Sequence, residues 1–291
     1  MNEARPEILV TGARGKTGRE VVAQLAARGV AVRAGSSEPR DAAESIRPVR
    51  FAWDDPATWA EAVRGVDAVY LMRPEVADAA ARVAELVSTV PDAHIVLLSE
   101  QGAGELPDAS WERGVERAVT DRARTWTLLR PSWFHQVLTD PRFYLGPIRR
   151  DGVLPLSTGG ASIAFVDARD IAAVAVSALL GAEGSVGAAY EITGPQALSL
   201  QDVADLVGSA AGRSVVAVDV PLDDAVAGMP PWLTDVLRGL FQRVRDGVFG
   251  RVTDDVQRVT GTPAISVAAF AREHADLWQV APEPAGGPRR G

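Results

Sequence analysis

Three observations predict a doubly wound parallel α/β sheet, a Rossmann fold, with a smaller interleaved C-terminal α/β lobe. Short apolar runs alternate with segments of helical period through the first half of the chain. The connections between them are short, as successive right-handed parallel crossovers require. A glycine-rich turn at residues 11–18 follows the first apolar run and opens the first helix.

The first strand is expected over 8–10. A helix over 20–28 follows, with Val21, Val22, Leu25 and Ala26 on one face. Strands are expected over 30–34 and 48–52, then a short helix over 58–64. The pattern continues with a strand over 67–72, an amphipathic helix over 76–87, a strand over 94–99, a helix over 111–122 and a sixth strand over 125–130. Residues 131–160 leave the sheet, with 152–157 extended. A strand over 163–166 leads to Asp167 and Asp170, either of which can cap a helix over 171–180. Residues 188–193 return as a strand. Ser199 caps a helix over 199–211, with Asp202 three residues on. A strand over 215–220 and helices over 223–226, 232–245 and 266–278 complete the chain. Pro230-Pro231 sets the start of the 232–245 helix. That helix shows Trp232, Val236, Leu240 and Phe241 on one side, so it covers a pocket or pairs two subunits. The organisation expected is a dinucleotide-binding domain over 1–150, a mixed segment over 151–281 that returns strands to the sheet and forms a substrate lobe, and a flexible tail over 282–291.

The 291 residues are 47% hydrophobic and 23% charged, an ordinary composition for a packed chain. The net charge of −8 argues against a broad nucleic-acid surface. With no cysteine, thiolate chemistry is excluded, and His94, His135 and His274 are too dispersed to suggest a metal motif. No stretch approaches the roughly 20 apolar residues of a membrane span. The reading is a cytoplasmic protein, monomer or homodimer, acting on a small-molecule substrate.

Ligands of doubly wound sheets bind at the carboxyl ends of the strands, near the point where strand order reverses. Thr11-Gly12-Ala13-Arg14-Gly15-Lys16-Thr17-Gly18 therefore reads as a dinucleotide loop. Gly12 permits the tight turn, Gly15 lets backbone approach a pyrophosphate, and Gly18 allows close packing of helix on strand. At the end of the second strand, Ser36, Ser37 and the following Arg40, with Arg14 and Lys16, suit a 2′-phosphate. NADPH is thus favoured over NADH, with Glu38 dissenting. Asp54, Leu71, Met72, Arg73, Ser99 and Pro131, at the ends of later strands, complete the expected cofactor contacts. Gln101, Trp111, Trp133 and Phe134 form the expected substrate side. Trp133 and Phe134 read equally as core.

These residues resemble the NmrA-like group of atypical short-chain dehydrogenase/reductases, through nearly the whole chain. The resemblance is carried by residues 11–18, by Phe51-Ala-Trp-Asp-Asp-Pro-Ala-Thr-Trp59, and by Gly65-Val-Asp-Ala-Val-Tyr-Leu-Met72. It extends through Leu97-Leu-Ser99, Leu128-Leu-Arg-Pro-Ser-Trp-Phe134, Phe165-Val-Asp-Ala-Arg-Asp-Ile-Ala172 and Tyr190-Glu-Ile-Thr-Gly-Pro195. The Trp53/Trp59 pair and the Arg-Pro-Ser-Trp-Phe run look closest to bacterial relatives of the ergot-alkaloid reductases, which implies NADPH-dependent reduction of an iminium. Ordinary members use a Tyr-x-x-x-Lys pair on the helix after the fifth strand. Here that helix reads Ser110-Trp-Glu-Arg-Gly-Val-Glu-Arg-Ala118, with neither residue.

Two readings follow. In one, the protein is a reductase whose substrate (a quinone, an iminium or an activated carbonyl) needs no strong protein acid. Ser99 then bonds a carbonyl or the nicotinamide amide, or merely caps its strand, and His135 is the histidine placed for proton transfer. In the other, the protein is a redox sensor that binds the dinucleotide and regulates a partner. Aromatic residues on the substrate side favour the enzyme.

Overall fold

The computed structural model describes residues 6–39 and 45–279. Strands and helices alternate in the order β1 (Glu7–Val10), α1 (Gly18–Ala27), β2 (Ala31–Ser36), β3 (Ile46–Arg50), α2 (Trp59–Val63), β4 (Ala68–Met72), α3 (Ala79–Ser88), β5 (His94–Leu98), α4 (Trp111–Thr120) and β6 (Thr125–Pro131). The chain continues through α5 (Leu145–Asp151), β7 (Val153–Leu156), α6 (Ala168–Leu179), β8 (Ala188–Ile192), α7 (Leu200–Ala211), β9 (Val216–Asp219) and α8 (Leu222–Ala225). It ends with α9 (Pro231–Arg245), α10 (Asp255–Thr260), α11 (Val267–Glu273) and α12 (Ala275–Trp278).

Seven strands form a parallel sheet in the order β3-β2-β1-β4-β5-β6-β8. Strand order reverses between β1 and β4. Helices cover both faces, so the strands are apolar on both sides, as all-parallel sheets require. Along β4, Ala68 and Tyr70 face α1 and α6, while Val69 and Leu71 face α3 and α4. β5 alternates in the same way, with Val96 and Leu98 against Ile95 and Leu97. A third core lies in the lobe around Phe165, Phe249, Phe270 and Trp278, beside the two-stranded parallel pair β7–β9. The Trp278 indole donates to the Leu138 carbonyl. Asp167 caps α6, and Ser199 with Asp202 forms a reciprocal capping box at α7.

Two expectations are corrected, and one helix is added. Residues 163–166 make no strand: Ile163 bridges Leu198 and Val166 bridges Phe134, single pairings that leave no ladder. The helix expected over 266–278 breaks at His274, whose backbone leaves the helical region, and becomes α11 and α12. Helix α5 was not anticipated, because Gly146 and Pro147 obscure its period; both fall in its first turn, where proline is tolerated. The tail over 282–291 lies outside the described residues.

Asp170 is buried near the joint between α6 and the C-terminal segment, where it accepts the Ile265 N–H at 2.8 Å. Burial pushes its carboxyl up to about 6, reinforced by Asp167 and opposed by that N–H. Its folded value lies above its unfolded one. The stability it contributes is therefore present below about pH 4 and lost as pH rises through about 6. Asp170→Asn should gain stability relative to the parent between pH 4 and 7.5, by up to about 3 kcal/mol. Denaturant unfolding at both pH values checks this, and a pH-independent difference would contradict it.

Candidate functional site

The glycine loop lies between the end of β1 and α1, braced against both neighbouring strands. Thr11 Oγ1 donates to the Tyr70 carbonyl and accepts the Met72 N–H, tying the loop to β4. The Ala13 N–H donates to the Gly35 carbonyl, tying it to β2. Gly12 has φ +61°, a conformation glycine adopts without strain. A Cβ at Gly18 would lie 2.2 Å from the Gly12 oxygen, so only glycine lets α1 start this close to β1.

Beside the loop is a cleft of about 510 Å³, lined by Gly12, Arg14, Gly15, Ser36, Ser37, Asp54, Met72 and Arg73 together with Phe51, Ala52 and Trp53. The last three were not singled out as ligand contacts, although they open the Phe51–Trp59 run after β3. Phe51, Trp53 and Trp59 pack as one aromatic cluster, and the Trp59 indole donates to the Ala52 carbonyl. The loop fits a dinucleotide: Cβ atoms at 12 and 15 would come within 3.2 and 3.4 Å of the Met72 side chain and narrow the cleft wall.

Several expected contacts lie elsewhere. Thr11 and Thr17 are fully buried, and Thr17 accepts the Tyr70 hydroxyl at 2.8 Å. Ala13 and Gly18 pack inside the loop, Leu71 points into the α3/α4 core, and Pro131 is buried at the end of β6. Arg40 lies outside the described residues. Lys16 turns away from the cleft lining and pairs with Asp140 at 2.5 Å, its ammonium 4.4 Å from the Phe143 ring centre. It thereby links the glycine loop to the segment after β6. Hydrogen bonds from Arg142 and then Lys16 hold the Asp140 carboxyl well below the usual carboxylate range. Arg14 donates to the backbone and carboxylate of Glu38 at 3.3 and 3.1 Å on the cleft rim.

His135 does not reach the strand ends. Its N–H donates to the Val166 carbonyl, and its ring is fully buried against Phe270, with Nε2 3.1 Å from the Phe165 carbonyl and Nδ1 3.5 Å from Asp167. The bridge from Phe134 to Val166 turns the chain into the lobe core just before it. Ser99 donates its only hydroxyl proton to Glu116 Oε1 at 2.7 Å. Burial alone would raise the Glu116 carboxyl, but bonds from Arg130, Ser99 and Arg113 outweigh it and hold it low. Ser99 can therefore accept from an amide N–H, but has no proton left for a carbonyl.

On the expected substrate side, Trp111 donates to the Val76 carbonyl, lies 6.4 Å from Trp232 of α9, and carries the Arg73 guanidinium over its ring at 4.8 Å. Trp133 packs between Phe241 and Phe249 at 5.9 and 5.8 Å. Phe134 packs against two of the cores. Gln101 is buried, its amide donating to the Arg251 carbonyl. Among the described residues there is no cluster of metal-ligating groups and no helix long and apolar enough to cross a membrane.

The family model of NAD(P)H-binding proteins matches residues 12–180. The chain belongs to that family. It is an NmrA-like, atypical short-chain dehydrogenase/reductase. The NAD(P)H azoreductase of Xenophilus azovorans is 35% identical over 94% of this chain and 100% of its own. Festuclavine dehydrogenase of Aspergillus fumigatus is 29% identical over 93% of this chain and 98% of its own, in line with the resemblance to ergot-alkaloid reductases. In fold, this NmrA-like protein is similar to the NADPH-dependent quinone oxidoreductase of Escherichia coli solved with NADPH, with a TM-score of 0.77, 23% identity, and coverage of 91% of this chain and 99% of that one.

Gly15 and Gly18 should separate binding from folding. Gly15→Leu should weaken dinucleotide binding more than about tenfold while the protein stays folded, because the added side chain enters the cleft. Gly18→Ala should cost about 1–3 kcal/mol of stability through the clash with Gly12. Dinucleotide titration and thermal unfolding check both, and unchanged affinity in Gly15→Leu would contradict the site.

Proposed function

We propose that this NAD(P)H-dependent oxidoreductase uses NADPH to reduce a small, flat, cyclic or aromatic substrate: a quinone, an iminium or an activated carbonyl. The observation that carries the reading is a glycine-walled cleft at the switch point, where the Ser99 hydroxyl at the neighbouring strand end already donates to Glu116. When bound, NADPH supplies the hydride. Gly12, Gly15 and Met72 shape its seat, while Arg14, Ser36 and Ser37 offer the positive charge and hydroxyls that suit a 2′-phosphate.

The Tyr70 hydroxyl is committed to Thr17, the Ser99 proton to Glu116, and His135 is enclosed in the lobe. Helix α4 carries neither Tyr nor Lys. Such a site suits substrates that need no strong acid from the protein. Hydride addition neutralises an iminium directly, and a reduced quinone takes its proton from water. Trp111 with Trp232, and Trp133 with Phe241, orient a flat ring and exclude water. The azoreductase relative, at 35% identity over the whole of its length, supports a reductase rather than a redox sensor. The same reading makes it a cytoplasmic protein acting on small molecules.

NADPH oxidation in the presence of quinones, cyclic imines and azo compounds tests the proposal. Turnover is expected with at least one class; tight NADPH binding with none turned over would favour the sensor. Arg14→Ala should lower the preference for NADPH over NADH by about tenfold through loss of a charge-assisted phosphate contact. Equal losses for both dinucleotides would contradict the assignment of Arg14.

A further inference from the structure

Helix α9 is anchored at one end. Residues 231–242 include Trp232, Leu233, Val236, Leu237, Leu240 and Phe241, each only partly buried; in α9 only Arg243 and Val244 are buried. A surface helix usually presses such a stripe into a core. Here the aromatic members rest on Trp111, the first residue of α4, and on Trp133, just after β6.

The anchor is part apolar, with Val244 buried in the lobe core and Leu240 and Phe241 packed against that core, and part ionic. Arg243 donates through Nη2 to Glu100, and through Nη1 to Glu112 Oε1 at 3.3 Å. Glu100 also accepts Nη2 of Arg73, whose guanidinium lies over Trp111 and which lines the dinucleotide cleft. A continuous chain of charged contacts thus runs from the cleft through Arg73, Glu100 and Arg243 to α9. Nη1 of Arg73 and Nε of Arg243 are buried without an acceptor, so the chain is incompletely satisfied at both guanidinium groups.

We propose that α9 is a lid over the substrate side, and that Arg243–Glu100–Arg73 is the latch coupling its closure to occupancy of the cleft. The inference rests on the reading of that cleft as the NADPH seat. An acceptor oxygen arriving in the cleft takes the free N–H of Arg73 and fixes its guanidinium over Trp111. Glu100 is then held in place, Arg243 with it, and Trp232 and Phe241 are kept seated on Trp111 and Trp133. Arg243 is a positioning residue, acting through Glu100 and α9. By reciprocity, the seated lid tightens dinucleotide binding by the factor with which the dinucleotide stabilises the lid.

Hydrogen exchange of peptides covering 231–242 tests this on the full chain, with and without saturating NADPH. NADPH binding is read separately from the dinucleotide's fluorescence. NADPH should slow exchange in 231–242 of the parent protein at least about fivefold. Arg243→Met should abolish that protection and weaken NADPH affinity by the same factor, and Arg243→Lys, which keeps the charge, should restore part of both. The parent comparison needs no variant, and Glu100→Gln provides a second cut in the chain. Unchanged exchange in the parent under bound NADPH would overturn the latch while leaving the cleft reading intact, as would full protection in Arg243→Met. Failure of the parent to bind NADPH would overturn the cleft reading, and the latch with it.

Discussion

The contact of Gly18 against the Gly12 carbonyl sets the geometry of the whole dinucleotide end. Without a Cβ at 18, α1 begins directly above the end of β1, and the loop has no slack. Two ties then leave it little freedom: Thr11 reaches β4, and Ala13 reaches β2. Because β1 and β4 flank the point where strand order reverses, the braced loop and Met72 form the two sides of one cleft. The position of the site is thus a consequence of parallel topology together with one glycine, which a larger residue could replace only by displacing α1 or the loop.

Polar groups around this frame are arranged to be satisfied rather than reactive. Glu116 is fully buried, yet it accepts from Ser99, Arg113 and Arg130. Removing a partner from such a cluster leaves a buried charge, which is far more costly than the cluster's net contribution. The Tyr70 hydroxyl, raised by burial, is spent on Thr17. On the proposed reading, with Ser99, Tyr70 and Glu116 committed in this way, the protein contributes chiefly orientation and water exclusion, and the bound cofactor supplies the hydride.

Strand and helix order was legible in the sequence because a sheet covered on both faces shows as apolar runs, and its crossover helices show as amphipathic segments. The glycine loop was legible because its spacing sits between a strand and a helix. What the sequence hid depends on where side chains turn after the strand ends. His135 follows β6 by only a few residues, yet the bridge between Phe134 and Val166 carries it into the lobe. Lys16 sits in the loop, yet Asp140 and Phe143 draw it away from the cleft lining. Phe51 and Trp53 line the cleft because the turn after β3 folds back under Trp59, a packing effect without a periodic signal.

In the proposed reaction hydride comes from the dinucleotide and no protein acid takes part in its transfer. Isotope effects on turnover of a reducible quinone test this. Deuterium at the transferring position of NADPH should slow the reaction, while heavy water should leave the same step unchanged. A solvent isotope effect as large as that from the labelled dinucleotide would show a proton moving with the hydride, and would contradict acid-free transfer.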